Sequence, residues 1–272
     1  MKTYAIALKR SKERYQYIGR HLRELGLDYK LIDAVDGSKL TMDEMKASCN
    51  MEEVNKLRWW LTNGAIGCAL SHYACYEAIA KSKDKCGFVV EDDAVLPPGI
   101  GKLLAEIEND IDENEVILLY YTSFGECKLS SVGKKDISLG SLVFPIDIKQ
   151  TIAATAYVIG RKAAQGMIAT IKPITVCADS WDYYYGKGAF KSFRVLYPSV
   201  VKIANFKSSI DYLPSTSLIG RTAKFINDYK VPIAFQILFY LRKKRLSRML
   251  NHFYLTNEQS PILNNISLEG MI

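Results

Sequence analysis

The sequence lacks the features that mark several specialised classes of protein. Its six cysteines form no Cys-x-x-Cys pair and have no spacing typical of a zinc site. This pattern favours reduced thiols that pack as small hydrophobic side chains over a disulfide framework. No stretch repeats with a period of about 20 to 50 residues, and no segment is of low complexity. The chain is therefore not a solenoid, a propeller or a fibrous protein.

Two kinds of hydrophobic segment are also missing. No apolar signal region follows Met1, because the chain passes straight into a short strand pattern and then into charges, so we expect it to remain in the cytoplasm. The apolar run 231–241 has eleven positions and is interrupted by Gln236. A membrane-spanning helix needs about 20 residues, so this run is too short to cross a bilayer.

A basic cluster follows the apolar run, at Arg242, Lys243, Lys244, Arg245 and Arg248. A helix that combines apolar residues with such a cluster can lie in the interface of an anionic membrane. We therefore predict peripheral association with the cytoplasmic face of the inner membrane. The alternative is a C-terminal helix that docks on the core and leaves its basic end in solvent.

The composition is that of an ordinary globular protein, with 49% hydrophobic and 24% charged residues in 272 positions. This length suffices for one large domain, or for one domain with a small appendage. The net charge of +7 favours an anionic partner: a nucleotide, a nucleic acid or a membrane surface. The basic residues are scattered or terminal and form no nucleic-acid-binding motif, so we expect no nucleic-acid partner.

The most informative stretch is an apolar strand that ends in three carboxylates. Phe88, Val89 and Val90 predict a buried strand, and Glu91, Asp92 and Asp93 follow it directly. Three adjacent anions are costly to desolvate unless a cation lies among them. Hard oxygen ligands suit Mg²⁺ or Mn²⁺, and ligands gather at the carboxyl ends of strands in open α/β sheets. The alternative is a solvated acidic turn.

Two earlier strands also end in polar residues. The strand over 4–8 leads into a basic stretch that contains Arg10 and Arg14, where Ser11 is the predicted N-cap of a helix. Such a loop can bind a nucleotide phosphate, or it can be a solvated helix face. After the strand over 29–35, Asp33 and Asp36 can bind a ribose or base, although an Asx turn explains Asp36 equally well.

Two later segments carry candidate chemistry. A helix for which Asn63 is the predicted N-cap holds His72 in its middle, and a structural role is favoured for this histidine. Asp179 and Asp182 lie among aromatic residues and would share one side of a helix. Carboxylates in apolar surroundings have raised pKa values and make good general bases. The alternative is an aspartate that caps a helix.

Several of these stretches together resemble the bacterial glycosyltransferases of family 25, the lipooligosaccharide galactosyltransferases. The matching pieces occur in the family's order and at similar spacing over most of the chain before its basic C-terminal part. They are Ile6-Ala-Leu-Lys-Arg-Ser-Lys-Glu-Arg14, Asp33-Ala-Val-Asp-Gly37, Gly64-Ala-Ile-Gly-Cys-Ala-Leu-Ser-His72, Val90-Glu-Asp-Asp-Ala94 and Thr155-Ala-Tyr157.

The resemblance implies a GT-A-like, Rossmann-type α/β catalytic domain over 1–214, followed by a helical, basic extension over 215–272. It also implies a UDP-sugar donor, Mn²⁺ or Mg²⁺, and inversion at the anomeric carbon. UDP-galactose, a β-1,4 linkage and a lipooligosaccharide acceptor are expected. UDP-glucose or UDP-N-acetylglucosamine as donor, or hydrolysis of a nucleotide sugar by a metal-dependent enzyme, are the alternatives.

The resemblance also assigns roles to individual residues. Asp93 matches the metal-binding end of the acidic motif, with Glu91 or Asp92 assisting, and Asp179 matches a later aspartate that would act as the base, with Asp182 next. The expected donor-binding residues are Leu8, Arg10, Arg14, Asp33, Asp36, Ser71, His72 and Asp92.

Three positions depart from the family's pattern. Ala178 precedes Asp179 and the usual proline is missing, Ala65 replaces a glutamate, and Ala7 replaces an asparagine or serine. We expect these departures to alter the choice of donor or acceptor.

Overall fold

A computed structural model describes residues 1–57, 60–206, 218–250 and 252–263. The strands are β1 (Lys2–Ala7), β2 (Tyr29–Asp33), β3 (Cys86–Glu91), β4 (Ala94–Val95), β5 (Glu115–Leu118), β6 (Cys127–Ile137), β7 (Gly140–Pro145), β8 (Ala156–Gly160), β9 (Ser192–Tyr197), β10 (Lys202–Ile203) and β11 (Phe253–Thr256). The helices are α1 (Lys12–Glu24), α2 (Met42–Ser48), α3 (Met51–Lys56), α4 (Asn63–Ala80), α5 (Ile100–Asp110), α6 (Arg161–Ile171), α7 (Trp181–Gly186), α8 (Leu218–Asp228) and α9 (Ala234–Leu250).

Nine strands form one mixed sheet in the order β11-β6-β7-β9-β5-β8-β3-β1-β2. β1 lies between β2 and β3 and is parallel to both, so the carboxyl ends of these three strands meet at one edge of the sheet. In this register Ile6 lies beside Glu91, and Ala7 lies beside Asp33. β8 is antiparallel to its neighbours β3 and β5. The predicted α/β fold is confirmed.

Helices cover both faces of the sheet, and the alternation of side chains along β3 shows how. Val89 belongs to the core cluster that includes α4 and α6, whereas Phe88 and Val90 belong to the cluster that includes α1 and α5. Successive side chains of a strand point to opposite faces. Glu91, two positions after Val89, therefore faces α4, and Asp92 faces α1.

The start of α4 is held close to the turn that follows β2. The N-cap is Thr62, whose hydroxyl accepts a hydrogen bond from the Ala65 N–H at 3.3 Å, so the prediction of Asn63 as the first capping residue was wrong by one position. A Cβ added at Gly67 would lie 2.7 Å from the Gly37 nitrogen. Glycine at position 67 thus permits a close backbone contact that fixes the loop after β2 against α4.

The C-terminal part is helical, as predicted, over α8 and α9. The predicted domain boundary at 214/215 lies outside the described residues. After α9 the chain returns to the sheet, where β11 pairs in parallel with β6 and the buried Ser260 hydroxyl donates to the Pro145 carbonyl at 2.7 Å. The last strand of the central sheet therefore comes from the extension. Among the described helices, none is long and apolar enough to span a bilayer.

Candidate active site

A cavity of about 440 Å³ opens at the edge where β1, β2 and β3 end. Parallel strands deliver their following loops to the same edge, so residues far apart in the sequence meet there. Predicted site residues that line this cavity are Leu8, Arg10, Arg14, Asp36, Ser71, Glu91, Asp92 and Asp93.

Arg14 holds two carboxylates of the acidic motif. The Arg14 Nε donates to Asp92 Oδ1 at 2.8 Å, and its Nη2 donates to Asp93 Oδ2 at 2.9 Å and also contacts Asp92 Oδ1. The Leu8 N–H donates to the other oxygen of Asp92 at 3.4 Å. The β1–α1 segment therefore neutralises part of the acidic motif and fixes Asp92.

A second ion pair lies across the cavity. Arg10 Nε is 2.7 Å from Asp36 Oδ2, while Asp36 Oδ1 accepts hydrogen bonds from the Ser38 N–H at 3.1 Å and its hydroxyl at 2.6 Å. Asp36 therefore makes an Asx turn and also lines the cavity. Asp33 pairs instead with Lys9 at 2.7 Å in solvent, and it is not among the described residues that line the cavity.

Ser71 and His72 are adjacent residues of α4 but make contacts with different parts of the fold. The Ser71 hydroxyl accepts from the Val35 N–H at 2.8 Å and donates to the Gly67 carbonyl at 2.6 Å, so it joins the loop after β2 to the helix. His72 is fully buried, with Nδ1 2.8 Å from the Tyr157 hydroxyl and Nε2 3.3 Å from Glu91 Oε1.

All three acids of the motif line the larger cavity, but the Glu91 side chain lies on the side of α4 and makes its own set of contacts. Its Oε2 accepts a hydrogen bond from the Thr155 hydroxyl at 3.2 Å, and its Oε1 lies 3.7 Å from the Cys68 sulfur. Burial opposes ionisation, but the hydrogen bonds from His72 and Thr155 hold the pKa of Glu91 below its ordinary value.

The pKa of Asp93 is shifted in the opposite direction. Burial, followed by the Glu91 charge, raises the pKa of Asp93 to about 7, against the lowering effect of Arg14. Its Oδ1 is buried and has no hydrogen-bond partner among the described residues. An unpartnered carboxylate oxygen in an under-neutralised cluster is what a hard divalent cation would bind, so Asp93 fits the predicted metal.

A second cavity, of about 130 Å³, adjoins the first through the shared residues Cys68, Glu91 and Thr155. Asp179 lines it, and burial raises the pKa of this carboxyl. Asp182 lies in the first turn of α7 and is half-buried. It does not belong to the described lining of either cavity.

The backbone of Ala153 positions Asp179. The Ala153 N–H donates to Asp179 Oδ2 at 3.2 Å, and its carbonyl accepts from the Trp181 indole at 3.0 Å. Ala153 has a φ of 93°, a left-handed conformation that costs about 1–3 kcal/mol in a non-glycine residue. The surrounding contacts hold this strained peptide, and the peptide in turn fixes the carboxylate.

Sequence reasoning missed several residues of the site. Cys68 and Thr155 link the two cavities, and Tyr157 and Ala153 support His72 and Asp179. The spacing of Cys68 and His72, four positions apart on one helix, is the signal that could have found the first of these.

Comparisons with known proteins match the part of the chain that contains these site residues. The sequence profile described as glycosyltransferase family 25 (LPS biosynthesis protein) matches residues 1–181. Human procollagen galactosyltransferase 2 is 32% identical over 118 residues, which are 42% of this chain and 19% of that protein. Lipooligosaccharide biosynthesis protein lic2B of Haemophilus influenzae is 24% identical over 182 residues, which are 63% of this chain and 64% of its own length. The chain thus matches less than two thirds of the length of either relative.

Proposed function

This chain belongs to glycosyltransferase family 25, and from that premise we propose that it transfers galactose from UDP-galactose to a lipooligosaccharide acceptor, with inversion and a β-1,4 linkage. The observation that carries the proposal is the pair of joined cavities. The larger contains basic side chains and the acidic motif, and the smaller contains a buried carboxylate. A nucleotide-sugar donor in a GT-A-like domain needs the basic and acidic side chains of the larger cavity. An acceptor hydroxyl needs the carboxylate of the smaller one.

The donor would occupy the larger cavity. Arg10 lies at its rim and pairs with Asp36, and a diphosphate can compete for that guanidinium. Once released, the Asp36 carboxylate can accept a hydrogen bond from a ribose or base. Leu8 and Ser71 contribute to the wall next to these residues.

The acidic motif would hold Mn²⁺ or Mg²⁺. Asp93 is the main candidate ligand because one of its oxygens is buried without a described partner, and Glu91 or Asp92 would assist. An ion held by these residues would supply Lewis-acid stabilisation of the departing UDP. Arg14 orients Asp92 and Asp93 for that role, and its charge offsets part of the rise in pKa that burial causes at both carboxyls.

Asp179 would act as the general base. An inverting transfer needs a carboxylate that takes the proton of the acceptor hydroxyl as that hydroxyl attacks the anomeric carbon. Burial raises the pKa of Asp179, which makes the carboxylate a stronger base once it is ionised. The hydrogen bond from the Ala153 N–H fixes one of its oxygens and leaves the other for the acceptor.

The C-terminal helix α9 would attach the enzyme to the cytoplasmic face of an anionic membrane. Ile237 and Leu241 are exposed and four positions apart, and Lys244 and Arg248 continue the same side of the helix. Apolar contact and charge attraction then act at adjacent parts of one surface. This location places the active site beside a lipid-linked acceptor.

The decisive experiment offers the full chain three donors, UDP-galactose, UDP-glucose and UDP-N-acetylglucosamine, with lipooligosaccharides truncated at successive sugars, with and without Mn²⁺. We expect galactose transfer that requires both Mn²⁺ and one particular acceptor, and a β anomeric signal in the product by NMR. Transfer of another sugar would reassign the donor. Release of UDP at the same rate without an acceptor would make the chain a hydrolase.

The membrane proposal needs substitutions, because a truncation before α9 would also remove β11 from the sheet. Flotation should show stronger binding of the full chain to anionic than to neutral vesicles, and the difference should shrink at high salt. Lys244→Glu with Arg248→Glu should abolish the difference, while Lys30→Glu with Lys46→Glu, which changes the charge equally elsewhere, should not. Equal binding to both vesicle types would contradict the proposal.

A further inference from the structure

We propose that Cys68, His72 and Glu91 form a binding site for Zn²⁺, separate in its chemistry from the hard-cation site at Asp93. The three side chains offer a sulfur, a nitrogen and an oxygen donor, and these atoms lie within 4.8 Å of one another. Zinc accepts such a mixed set, whereas Mg²⁺ and Mn²⁺ prefer oxygen.

Two of the three distances between the donor atoms match the edges of a tetrahedron around zinc. With ordinary zinc–ligand bond lengths, a tetrahedral site separates nitrogen from oxygen by about 3.4 Å and sulfur from oxygen by about 3.6 Å. Here His72 Nε2 lies 3.3 Å from Glu91 Oε1, and Cys68 Sγ lies 3.7 Å from the same oxygen. The third pair, Cys68 Sγ and His72 Nε2, lies within 4.8 Å, so a rotation of the Cys68 side chain would complete the site.

The secondary structure explains why the three donors meet. Cys68 and His72 are four positions apart on α4, so both side chains project from one side of that helix. Glu91 is the last residue of β3 and faces the same helix, as the alternation along the strand requires. His72 is fully buried, whereas Cys68 and Glu91 are half-buried, so the site is anchored on its inner side and reachable from the cavities.

The surrounding hydrogen bonds are those that orient metal ligands. A ligating histidine usually bonds its second ring nitrogen to a neighbouring group, and a ligating carboxylate is bonded through its other oxygen. His72 Nδ1 is 2.8 Å from the Tyr157 hydroxyl, which in turn donates to the Tyr76 hydroxyl at 3.1 Å. Glu91 Oε2 accepts from Thr155. These contacts leave His72 Nε2 and Glu91 Oε1 directed at the proposed ion.

A fourth position would be open. Cys68 and Glu91 line both cavities, so an ion between them would face the space through which donor and acceptor sites connect. Three protein ligands and one open position are typical of zinc sites that are not purely structural. Since Glu91 is also a candidate donor to Mn²⁺, zinc here would compete for that carboxylate.

Cobalt is the probe for this site, because Co²⁺ replaces zinc and absorbs in the near ultraviolet when it binds a thiolate. The purified full chain, without donor or acceptor, is titrated with Co²⁺ in excess Mg²⁺, and Zn²⁺ is then added. We expect one thiolate-bound Co²⁺ per chain, which Zn²⁺ displaces. Isothermal calorimetry of Zn²⁺ in buffers of different ionisation enthalpy should show release of the Cys68 proton.

Two variants of α4 provide the matched comparison. Cys68→Ala should lose the thiolate band and weaken Zn²⁺ binding by more than about 100-fold, beyond the effect of losing an outer partner. Cys75→Ala, a buried thiol of the same helix outside the cluster, should keep both. Tyr157→Phe, which removes only the hydroxyl beside His72, should weaken Zn²⁺ by about 10–100-fold.

The wild-type chain without a thiolate band would overturn the proposal, and so would a Cys68→Ala variant that keeps the band. Because no sugar transfer is measured, these outcomes are independent of the proposed transferase activity. A chain that binds Zn²⁺ as described but transfers no sugar would retain this site and lose the proposed function.

Discussion

The sheet carries a cluster of buried charges at each of two opposite edges. The two clusters differ in how far their negative charges are neutralised by cations. At the amino end of β5, Arg194 donates to both oxygens of Glu115 at 2.7 and 2.8 Å and lies 2.8 Å from Asp110. Lys135 also pairs with Asp110. Two carboxylates thus meet two cations, and we call this set the balanced cluster.

At the carboxyl end of β3 the charges do not balance. Glu91, Asp92, Asp93 and Asp179 are gathered around the two cavities. Arg14 is the permanent cation that pairs with two of them, and His72 contacts a third. The consequence appears in the pKa values. Against burial, Lys135 and Arg194 lower the pKa of Asp110, whereas burial and Glu91 raise that of Asp93 to about 7.

The difference separates a structural role from a functional one. A buried carboxylate whose charge is matched by cations stabilises the fold only modestly, but its removal leaves those cations buried and unpaired. A buried carboxylate with too few partners is destabilising, and persists where it binds a cation or moves a proton. The comparison therefore predicts that substitutions at the two clusters have opposite effects on stability and on activity.

The largest effect is expected at Asp93. Loss of a metal ligand removes several kcal/mol of transition-state stabilisation, which is on the order of a 10³-fold loss of rate. Asp93→Asn should therefore reduce Mn²⁺-dependent transfer by about that factor, as measured by initial rates over a Mn²⁺ titration. The thermal stability of the metal-free variant should not fall, because the substitution removes an under-neutralised charge. Near-normal turnover would show that Asp93 does not hold the metal.

The next largest effect concerns the base. Asp179→Asn should lower kcat by about 10²–10⁴-fold, the usual contribution of a general base. Asp182→Asn serves as the control, since Asp182 lies outside the described lining of both cavities, and it should have a smaller effect. Calorimetry should find nearly unchanged UDP affinity in both variants. A large loss in Asp182→Asn with Asp179→Asn almost unaffected would reverse the assignment.

A substitution in the balanced cluster should change the free energy of unfolding rather than kcat. Arg194→Met leaves Glu115 and Asp110 without their shared partner and should lower the free energy of unfolding by about 3–5 kcal/mol, as measured in urea. The kcat of the folded fraction should change little, because the cluster lies at the far edge of the sheet. Replacing Glu115 by Gln in the same chain should restore part of the stability. A variant that is fully stable but inactive would contradict the division between the two clusters.

The smallest effect is a difference in pH dependence. Between the ordinary value of 3.8 and about 7, folded Asp93 holds a proton that the unfolded chain has lost, so its contribution makes the free energy of unfolding fall as pH rises. Asp110, whose pKa is lowered, contributes stability that is lost as pH falls below its ordinary value. Asp93→Asn should therefore flatten the stability profile between pH 3.8 and about 7, and Asp110→Asn should flatten it below pH 3.8. Identical profiles for the two variants would contradict this picture.

The sequence predicted local elements more successfully than their partners. The strand before Glu91 and the helix that contains His72 follow from apolar runs and small-residue patterns, and both are present. Ser11 is the N-cap residue of α1, as predicted, but its side chain accepts no hydrogen bond from an N–H of that described helix, and the N-cap of α4 is Thr62 rather than Asn63. Because capping depends on side-chain geometry at a single residue, a pattern of residue types locates it only approximately.

The position of β8 shows another limit. Its apolar residues predict a buried strand, but nothing in them indicates that it runs antiparallel between β3 and β5. That arrangement brings Thr155 to Glu91 and Tyr157 to His72. Strand order is decided by which faces pack best across the whole sheet, so a local pattern does not contain it.

The sequence by itself determined that three carboxylates end a buried strand, that a histidine lies inside a buried helix, and that two aspartates lie among aromatic residues, whereas the expectation that both share one helix was wrong because α7 begins at Trp181. These follow from periodicity, which is a local property. Only the tertiary structure decided which charges are neutralised. Arg14 reaches Asp92 across 78 positions of the chain, and Thr155 reaches Glu91 across 64. The pKa of a buried carboxylate depends on neighbours within a few ångströms, and those neighbours come from distant parts of the sequence.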